Sequence, residues 1–301
     1  MEADAPQPQS RTLVYLMLAF AVLSWAGNWV IGRALRFDAP PVALTFWRWA
    51  LAFALLAPFT WRRIVAQRDV VRRSWKIIVV LGLLATVCQH IPIYVGLRHT
   101  TATNGALLNA ASPVFIMLLS AAMTGERLHA KGIAGIAISI CGVLTIVSRG
   151  DILALRALSF NSGDLWVLAA TLAWAFYTVC LRWQPAGLDR LALLTLLAAV
   201  GAAAALPIYL AEIASGQVLS TDAGTLIGIG YIGLVATVAA YILWNRGVEK
   251  VGPSRAGQFM YLMLVFTPLL AIVFLGEQLH LYHVAGTALI VAGISVATSH
   301  G

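Results

Sequence analysis

Polar residues divide this chain into ten apolar runs, near 12–33, 40–61, 76–97, 101–124, 131–149, 163–183, 190–211, 224–245, 254–275 and 281–298. Each is close to the roughly 20 residues a helix needs to cross the hydrocarbon core of a bilayer. None alternates with period two. Lipid admits only helices or closed barrels, because every backbone N–H and C=O must find its partner inside the protein. The pattern therefore predicts an all-α integral membrane protein of ten transmembrane helices. The polar residues 1–11 lead through Arg11 into the first run, which ends on polar and aromatic residues instead of a small-residue cleavage site. It reads as an uncleaved first helix.

Composition narrows the function classes. Hydrophobic residues make up 60% of the 301 and charged ones 11%, against roughly 45–50% and about 25% in soluble domains. Ten spans take about 200 residues, and what is left is too little for a soluble catalytic domain. The net charge of +8 would suggest nucleic acid in a soluble protein. Here the basic residues sit between the apolar runs, where topology signals belong, so a nucleic-acid role is rejected. Cys88, Cys141 and Cys180 all fall inside predicted spans, with neither disulfide nor zinc-ligand spacing. They read as small packing residues, and no metal or cofactor is expected.

The basic residues also predict orientation. With the amino terminus in the cytoplasm, the inner segments hold Arg11, Arg62, Arg63, Arg68, Arg72, Arg73, Lys76, Arg127, Lys131, Arg182, Arg190, Arg246, Lys250 and Arg255, fourteen in all. The outer segments hold five: Arg33, Arg36, Arg98, Arg149 and Arg156. Excess Lys and Arg marks cytoplasmic loops, so both termini are expected to be cytoplasmic.

The chain repeats itself. GERLHAKGIAGIAISICGV, residues 125–143, matches GEQLHLYHVAGTALIVAGI, residues 276–294, at eight of nineteen positions, including Glu126 with Glu277 and Gly142 with Gly293. A second match pairs Trp25, Ala26, Val30 and Arg33 with Trp174, Ala175, Val179 and Arg182. Residues 1–150 and 151–301 are thus expected to form two five-helix repeats. An odd number of spans per unit forces the copies into the membrane in opposite senses, the inverted architecture of many secondary transporters. The prolines break the symmetry: Pro113 lies thirteen residues before Glu126, whereas Pro268 lies nine before Glu277. Proline removes a hydrogen bond and kinks a helix, so helices 4 and 9 are expected to bend at different depths, by tolerated drift or as part of gating.

The repeated segments running from proline to Gly-Glu, the Trp in the first helix of each half and the Arg of FWRW together resemble the drug/metabolite transporter superfamily, in its ten-helix EamA-type branch. The aromatic-rich first helix and QHIPIYVGLRHTTATNGALL are similar to the YddG-type exporters of aromatic amino acids within that branch. The resemblance implies a multi-pass exporter of amino acids or related metabolites in the cytoplasmic (inner) membrane, working by alternating access through a central cavity. A multidrug exporter of the same superfamily is the alternative. No proline in helix 8 matches Pro92.

The candidate chemistry is sparse. None of the acidic residues lies deep within a predicted span, which argues against the commonest proton relay, a buried carboxylate. Arg48 and His90 are the ionisable groups at depth. Arg48, about eight residues into helix 2, needs a wet cavity or polar partners; it either holds a substrate carboxylate through two parallel bonds or is satisfied by helix-end carbonyls. His90 and Tyr94 share a face of helix 3, with Pro92 between them leaving a carbonyl open. His90 is either structural or part of a substrate or proton path. Trp25, Asn28, Trp29 and Gly32 line one stripe of helix 1, and Trp174, Tyr177 and Thr178 its counterpart on helix 6. Two aromatic faces meeting at the twofold axis would suit aromatic side chains and ammonium groups; interface anchoring is the competing role. Gln258 is a further candidate for substrate contact, although amides in hydrocarbon usually bond between helices, as do Asn104 and Asn109. Glu126 and Glu277 are expected to cap the helix that follows each. The glycine pairs Gly135 with Gly142 and Gly286 with Gly293 are expected to let helices 5 and 10 pack closely.

An enzyme is disfavoured: there is no His-Glu-x-x-His, no intramembrane aspartate pair, and Gly252-Pro253-Ser254 lacks the glycine of a rhomboid-like motif. A channel would need a continuous polar stripe. Arg48 alone is too little for a polyanion. The expected partners are a small zwitterionic or amphipathic substrate and the bilayer, with a proton as well if His90 titrates during transport; the sequence leaves the oligomeric state open, and a monomer is compatible with the task.

Overall fold

The computed structural model describes residues 8–124, 129–151, 161–251, 256, 257 and 259–298. Among these, the ten apolar runs form ten helices: α1 Pro8–Ala34, α2 Pro41–Ala66, α3 Trp75–His99, α4 in two pieces Ala102–Asn109 and Ser112–Thr124, α5 Ala130–Val147, α6 Ser162–Cys180, α7 Arg190–Ala214, α8 Ala223–Val251, α9 Phe259–Leu275 and α10 Leu281–Thr298. The short helix Arg68–Arg73 joins α2 to α3. Local chemistry starts several of them. Thr101, Asn161, Asp189 and Asp222 accept backbone N–H bonds as N-caps of α4, α6, α7 and α8, and Pro41 opens α2 where its missing N–H costs nothing. Hydrogen bonds from Ser220 and Thr225 hold the exposed Asp222 carboxyl well below the usual carboxylate range.

Three helices are irregular at mid-span. α3 breaks at Thr86, where its pieces Trp75–Ala85 and Val87–His99 meet, with Pro92 inside the second. α4 breaks at Ala110 and Ala111, so Pro113 falls in the first turn of a new helical piece. Pro268 instead lies inside Met263–Leu275, behind the 3-10 turn Phe259–Leu262. The expected difference in depth between the two prolines is therefore a difference in kind: a restart in α4 and an uninterrupted helix in α9. α8 has no proline, yet it too departs from α-helix, through a π-helical stretch Tyr231–Ala239.

The packing is twofold. α2 lies on α7, α5 on α10 and α4 on α9; α1 packs against α8 and α9, and α6 packs against α3 and α4. Exchanging helices 1–5 with 6–10 maps this set of neighbours onto itself, so the chain is two inverted five-helix repeats. The α5–α10 pair is the closest. A Cβ on Gly135 would strike the Gly293 carbonyl, and one on Gly142 the Gly286 carbonyl, with the reciprocal clashes from Gly286 and Gly293. Without a hydrophobic force between helices in lipid, such backbone proximity supplies the dispersion that holds the pair.

The two ends of the bundle differ. The connections 34–41, 99–102, 214–223 and 275–281 lie at the arginine-poor end, with the end of α5 and the start of α6. Here the Glu212 carboxylate accepts the N–H groups of Val42 and Ala43 at 3.2 and 2.9 Å, and that of Glu277 accepts Ala102 and Thr103 at 2.8 and 3.0 Å. Each acid meets the positive end of a helix dipole. Glu277 thus caps α4, in the other half, and not the helix that follows it, because the α9–α10 connection passes over the start of α4. Glu126 lies outside the described residues. At the arginine-rich end, Arg63 pairs with Asp189 at 3.1 Å and Arg190 with Glu249 at 3.2 Å, both pairs exposed.

Candidate functional site

Arg48 on α2 is buried, 3% exposed. Its Nε donates to Thr237 Oγ1 at 2.7 Å, and Nη1 donates to Asn28 Oδ1 at 3.0 Å and Tyr94 Oη at 3.2 Å. Tyr94 donates in turn to Asn28 Oδ1 at 2.9 Å. Four helices, α1, α2, α3 and α8, thus converge on one guanidinium. All its partners are neutral side chains; helix-end carbonyls play no part, and Nη2 makes no hydrogen bond among the described residues.

Local structure places each partner. Gly32, one turn beyond Asn28, lacks the Cβ that would overlap the Tyr94 ring, so the ring can lie on α1. On α8 the π stretch lets Thr237 donate to the Ile232 carbonyl five residues back while its oxygen accepts from Arg48. Single π turns are frequent at functional sites because they turn a side chain out of its α-helical register. Thr237 was not legible as a site residue: no proline or polar cluster marks it, and its role depends on the π turn.

His90, 4% exposed, stands edge-on to Trp49 with ring centroids 5.5 Å apart and lies 6.3 Å from the Tyr94 ring. Its Nδ1 faces the Thr86 carbonyl at 3.3 Å, at the break in α3. The structure therefore brings His90, Tyr94, Arg48 and Asn28 together, with Pro92 on the same helical piece.

The aromatic candidates separate into two groups. Trp25 donates through Nε1 to the Ala236 carbonyl at 3.0 Å and packs against Tyr241 and Trp244, at 5.7 and 5.2 Å between centroids. Trp244 accordingly faces α1 and not the membrane interface. Trp174 lies on Tyr177 at 5.1 Å, and both join a cluster with Ile78, Leu81 and Leu197 between α3, α6 and α7. The two tryptophans do not meet. The groups approach through Tyr177 and Tyr241, which lie within electrostatic reach of each other, and Tyr241 is also within reach of Arg48. Each tryptophan follows its helix to the partner that inversion assigns it, α8 for α1 and α3 for α6, which carries them apart. Gln258 lies outside the described residues.

This geometry makes a buried polar centre, with one cation and aromatic flanks, inside an inverted-repeat bundle, nearer the arginine-poor end than the middle of α1, α2 and α3. The EamA-like transporter family matches residues 12–148 and again 161–299, one copy in each half. The chain belongs to this family. As an EamA-like transporter of the drug/metabolite superfamily it is a multi-pass membrane protein, and a transport protein by family. It is similar to the uncharacterized transporter YyaM of Bacillus subtilis, 24% identical over 95% of this chain and 93% of that one. It is also similar to a probable amino-acid metabolite efflux pump of Escherichia coli, 25% identical over 93% of both chains, and to one of Salmonella typhimurium, 26% identical over 91% of both. A solved crystal structure shares the fold with a TM-score of 0.62 at 23% identity, over 96% of this chain and 98% of that one.

Proposed function

We propose that this EamA-like transporter exports amino acids with large neutral or aromatic side chains across the inner membrane, by alternating access at the Arg48 site. The observation that carries the reading is the guanidinium of Arg48, buried among neutral partners with Nη2 unengaged. A buried ion without a counter-ion is disfavoured by several kcal/mol, and a substrate carboxylate is the missing charge. Both Nη1 hydrogens go to Asn28 and Tyr94 and the Nε hydrogen to Thr237, so Nη2 is the donor that meets the carboxylate, and a second parallel bond from Nη1 forms only by displacing one of those partners. The rings of Trp25, Tyr241 and Tyr177 on the flanks suit a large apolar side chain and offer π-faces to an ammonium group. A second cation would be repelled from Arg48, which sets the zwitterion above a cationic drug.

Support for amino acids comes also from the two relatives called amino-acid metabolite efflux pumps, and for aromatic ones from the likeness to YddG-type exporters. Export follows the same relatives. The fourteen-to-five distribution of basic residues supports cytoplasmic termini.

Counterflow in proteoliposomes tests the reading. Vesicles preloaded with phenylalanine should accumulate labelled phenylalanine, tryptophan and leucine, but neither glutamate nor phenethylamine, which lacks the carboxylate. Uptake of phenethylamine or a cationic dye with no amino-acid exchange would assign the site to another cargo.

A further inference from the structure

Beyond the end of α5, the first turn of α6 hides a carboxylate that the Arg48 site does not use. Asp164 is 0% exposed, although it stands at a helix end. Its Oδ1 accepts the Thr100 hydroxyl at 2.5 Å and the Asn104 Nδ2 at 2.6 Å, and Asn104 Nδ2 also donates to Thr100 Oγ1 at 3.2 Å. Thr100 ends α3 and Asn104 lies in the first turn of α4, so this cluster fastens α6 to the α3–α4 joint at the arginine-poor end.

Two atoms of the cluster are unsatisfied. Asp164 Oδ2 and Asn104 Oδ1 are both buried, and neither has a hydrogen-bond partner among the described residues. Both are acceptors. An amide and an ionised carboxylate can share only one bond, amide N–H to carboxylate oxygen; an amide and a carboxylic acid can share a second, in which the acid O–H donates to the amide oxygen. The pair already makes the first bond, and each of the two remaining atoms is an acceptor that lacks a hydrogen.

We propose that Asp164 and Asn104 form a proton-binding site, and that the proton held there is exchanged for cargo during transport. Loading converts the Asp164 carboxylate into the acid, with the proton taken from water on Oδ2 and donated to Asn104 Oδ1. Release returns the proton to water and leaves the carboxylate. Nothing is oxidised or reduced. Loading satisfies both orphaned acceptors and closes the α6 to α3–α4 contact; unloading leaves a buried ion that favours hydration, and so opening, at this end.

The nearest second carboxylate is Glu277, held on the N–H groups of Ala102 and Thr103 at the start of α4. α4 carries no titratable side chain from Ala102 to Asn109. On α3, His99 is exposed and Arg98 is engaged with Gln217. Arg149, at the end of α5, acts on Asp164 electrostatically, and Tyr282 on α10 is in turn within its reach. The exchange half of the proposal rests on the transport reading above; the binding half does not.

Infrared difference spectroscopy of the protein in liposomes, titrated between acid and alkaline buffer, tests the binding half without cargo. The wild type should show a protonated-carboxyl C=O band that appears as the buffer is made acid. Asp164→Asn should remove it, and Asn104→Leu, which keeps the carboxyl, should shift it upward in frequency. Asp222 stays ionised over this range and adds no such band. Absence of the band, or a band unmoved by both variants, overturns the site; if Asp164→Asn does not fold, the Asn104→Leu shift alone decides. An internal pH dye then follows protons during amino-acid counterflow in the same liposomes. Cargo-driven proton movement in the wild type, lost in Asp164→Asn, supports exchange, and cargo movement without protons overturns it. Loss of all amino-acid movement with the band intact counts against the transport reading and not against the proton site.

Discussion

Arg48 Nε donates to Thr237 Oγ1 at 2.7 Å, a bond that joins α2 of the first half to the π turn of α8 in the second. Thr237→Val would leave a buried charged donor unsatisfied, a loss of about 1–3 kcal/mol. Thr237→Val is expected to lower the melting temperature and raise KM for amino-acid exchange, and Thr237→Ser to restore both. Thermal unfolding in detergent together with counterflow kinetics checks this; equal behaviour of Val and Ser would mean that the hydroxyl is idle.

Tyr94 holds Asn28 and Arg48 in one network through a single hydroxyl. Tyr94→Phe retains the ring against Gly32 and removes two bonds between neutral or singly charged groups, so it should cost about 1–2 kcal/mol. The expected outcome is a several-fold weaker affinity for amino acid with expression unchanged, measured by calorimetric binding.

The glycines of α5 and α10 divide sharply. Gly142→Val puts a branched side chain against the Gly286 carbonyl and the Ile290 side chain and should disrupt the pair, whereas Gly132→Ala meets nothing within 4 Å. Overpacking costs about 1–3 kcal/mol or more, and replacing a helical glycine by alanine stabilises by roughly 0.5–1 kcal/mol. Gel-filtration monodispersity and melting temperature should fall for Gly142→Val and hold or rise for Gly132→Ala.

Two carboxylates cap helices across the repeat. Glu277→Ala and Glu212→Ala each remove a pair of charge-assisted bonds to a helix N-terminus, and each should destabilise by about 1–2 kcal/mol. Arg63→Ala, which breaks an exposed ion pair with side chains 54% and 32% accessible, should change stability by less than about 1 kcal/mol. A series of melting temperatures for the three variants orders them.

The sequence pattern carried the bundle a long way and the site only halfway. Period and length located ten helices because hydrocarbon leaves the chain few alternatives, and the glycine spacing of 135, 142, 286 and 293 foretold which helices touch. Arg48, Asn28, His90 and Tyr94 were legible because a polar group in an apolar run stands out. Thr237 was not, since a hydroxyl is common in membrane helices and only the π turn aims it at Arg48. Asp164 was missed for another reason. It sits at a helix end, outside the apolar depth where a polar group stands out, and the α3–α4 joint that buries it is a long-range contact. Trp25 and Trp174 match by repeat, but inversion sends each to a different neighbour.

Whether Arg48 takes the substrate's carboxylate is tested most directly by comparing phenylalanine with phenylalaninamide in calorimetric binding to wild type and Arg48→Gln. The wild type should prefer the carboxylate by about tenfold or more, a difference of about 1.4 kcal/mol, and Arg48→Gln should abolish the preference. An Arg48→Gln protein that still prefers phenylalanine by the same factor would contradict the assignment.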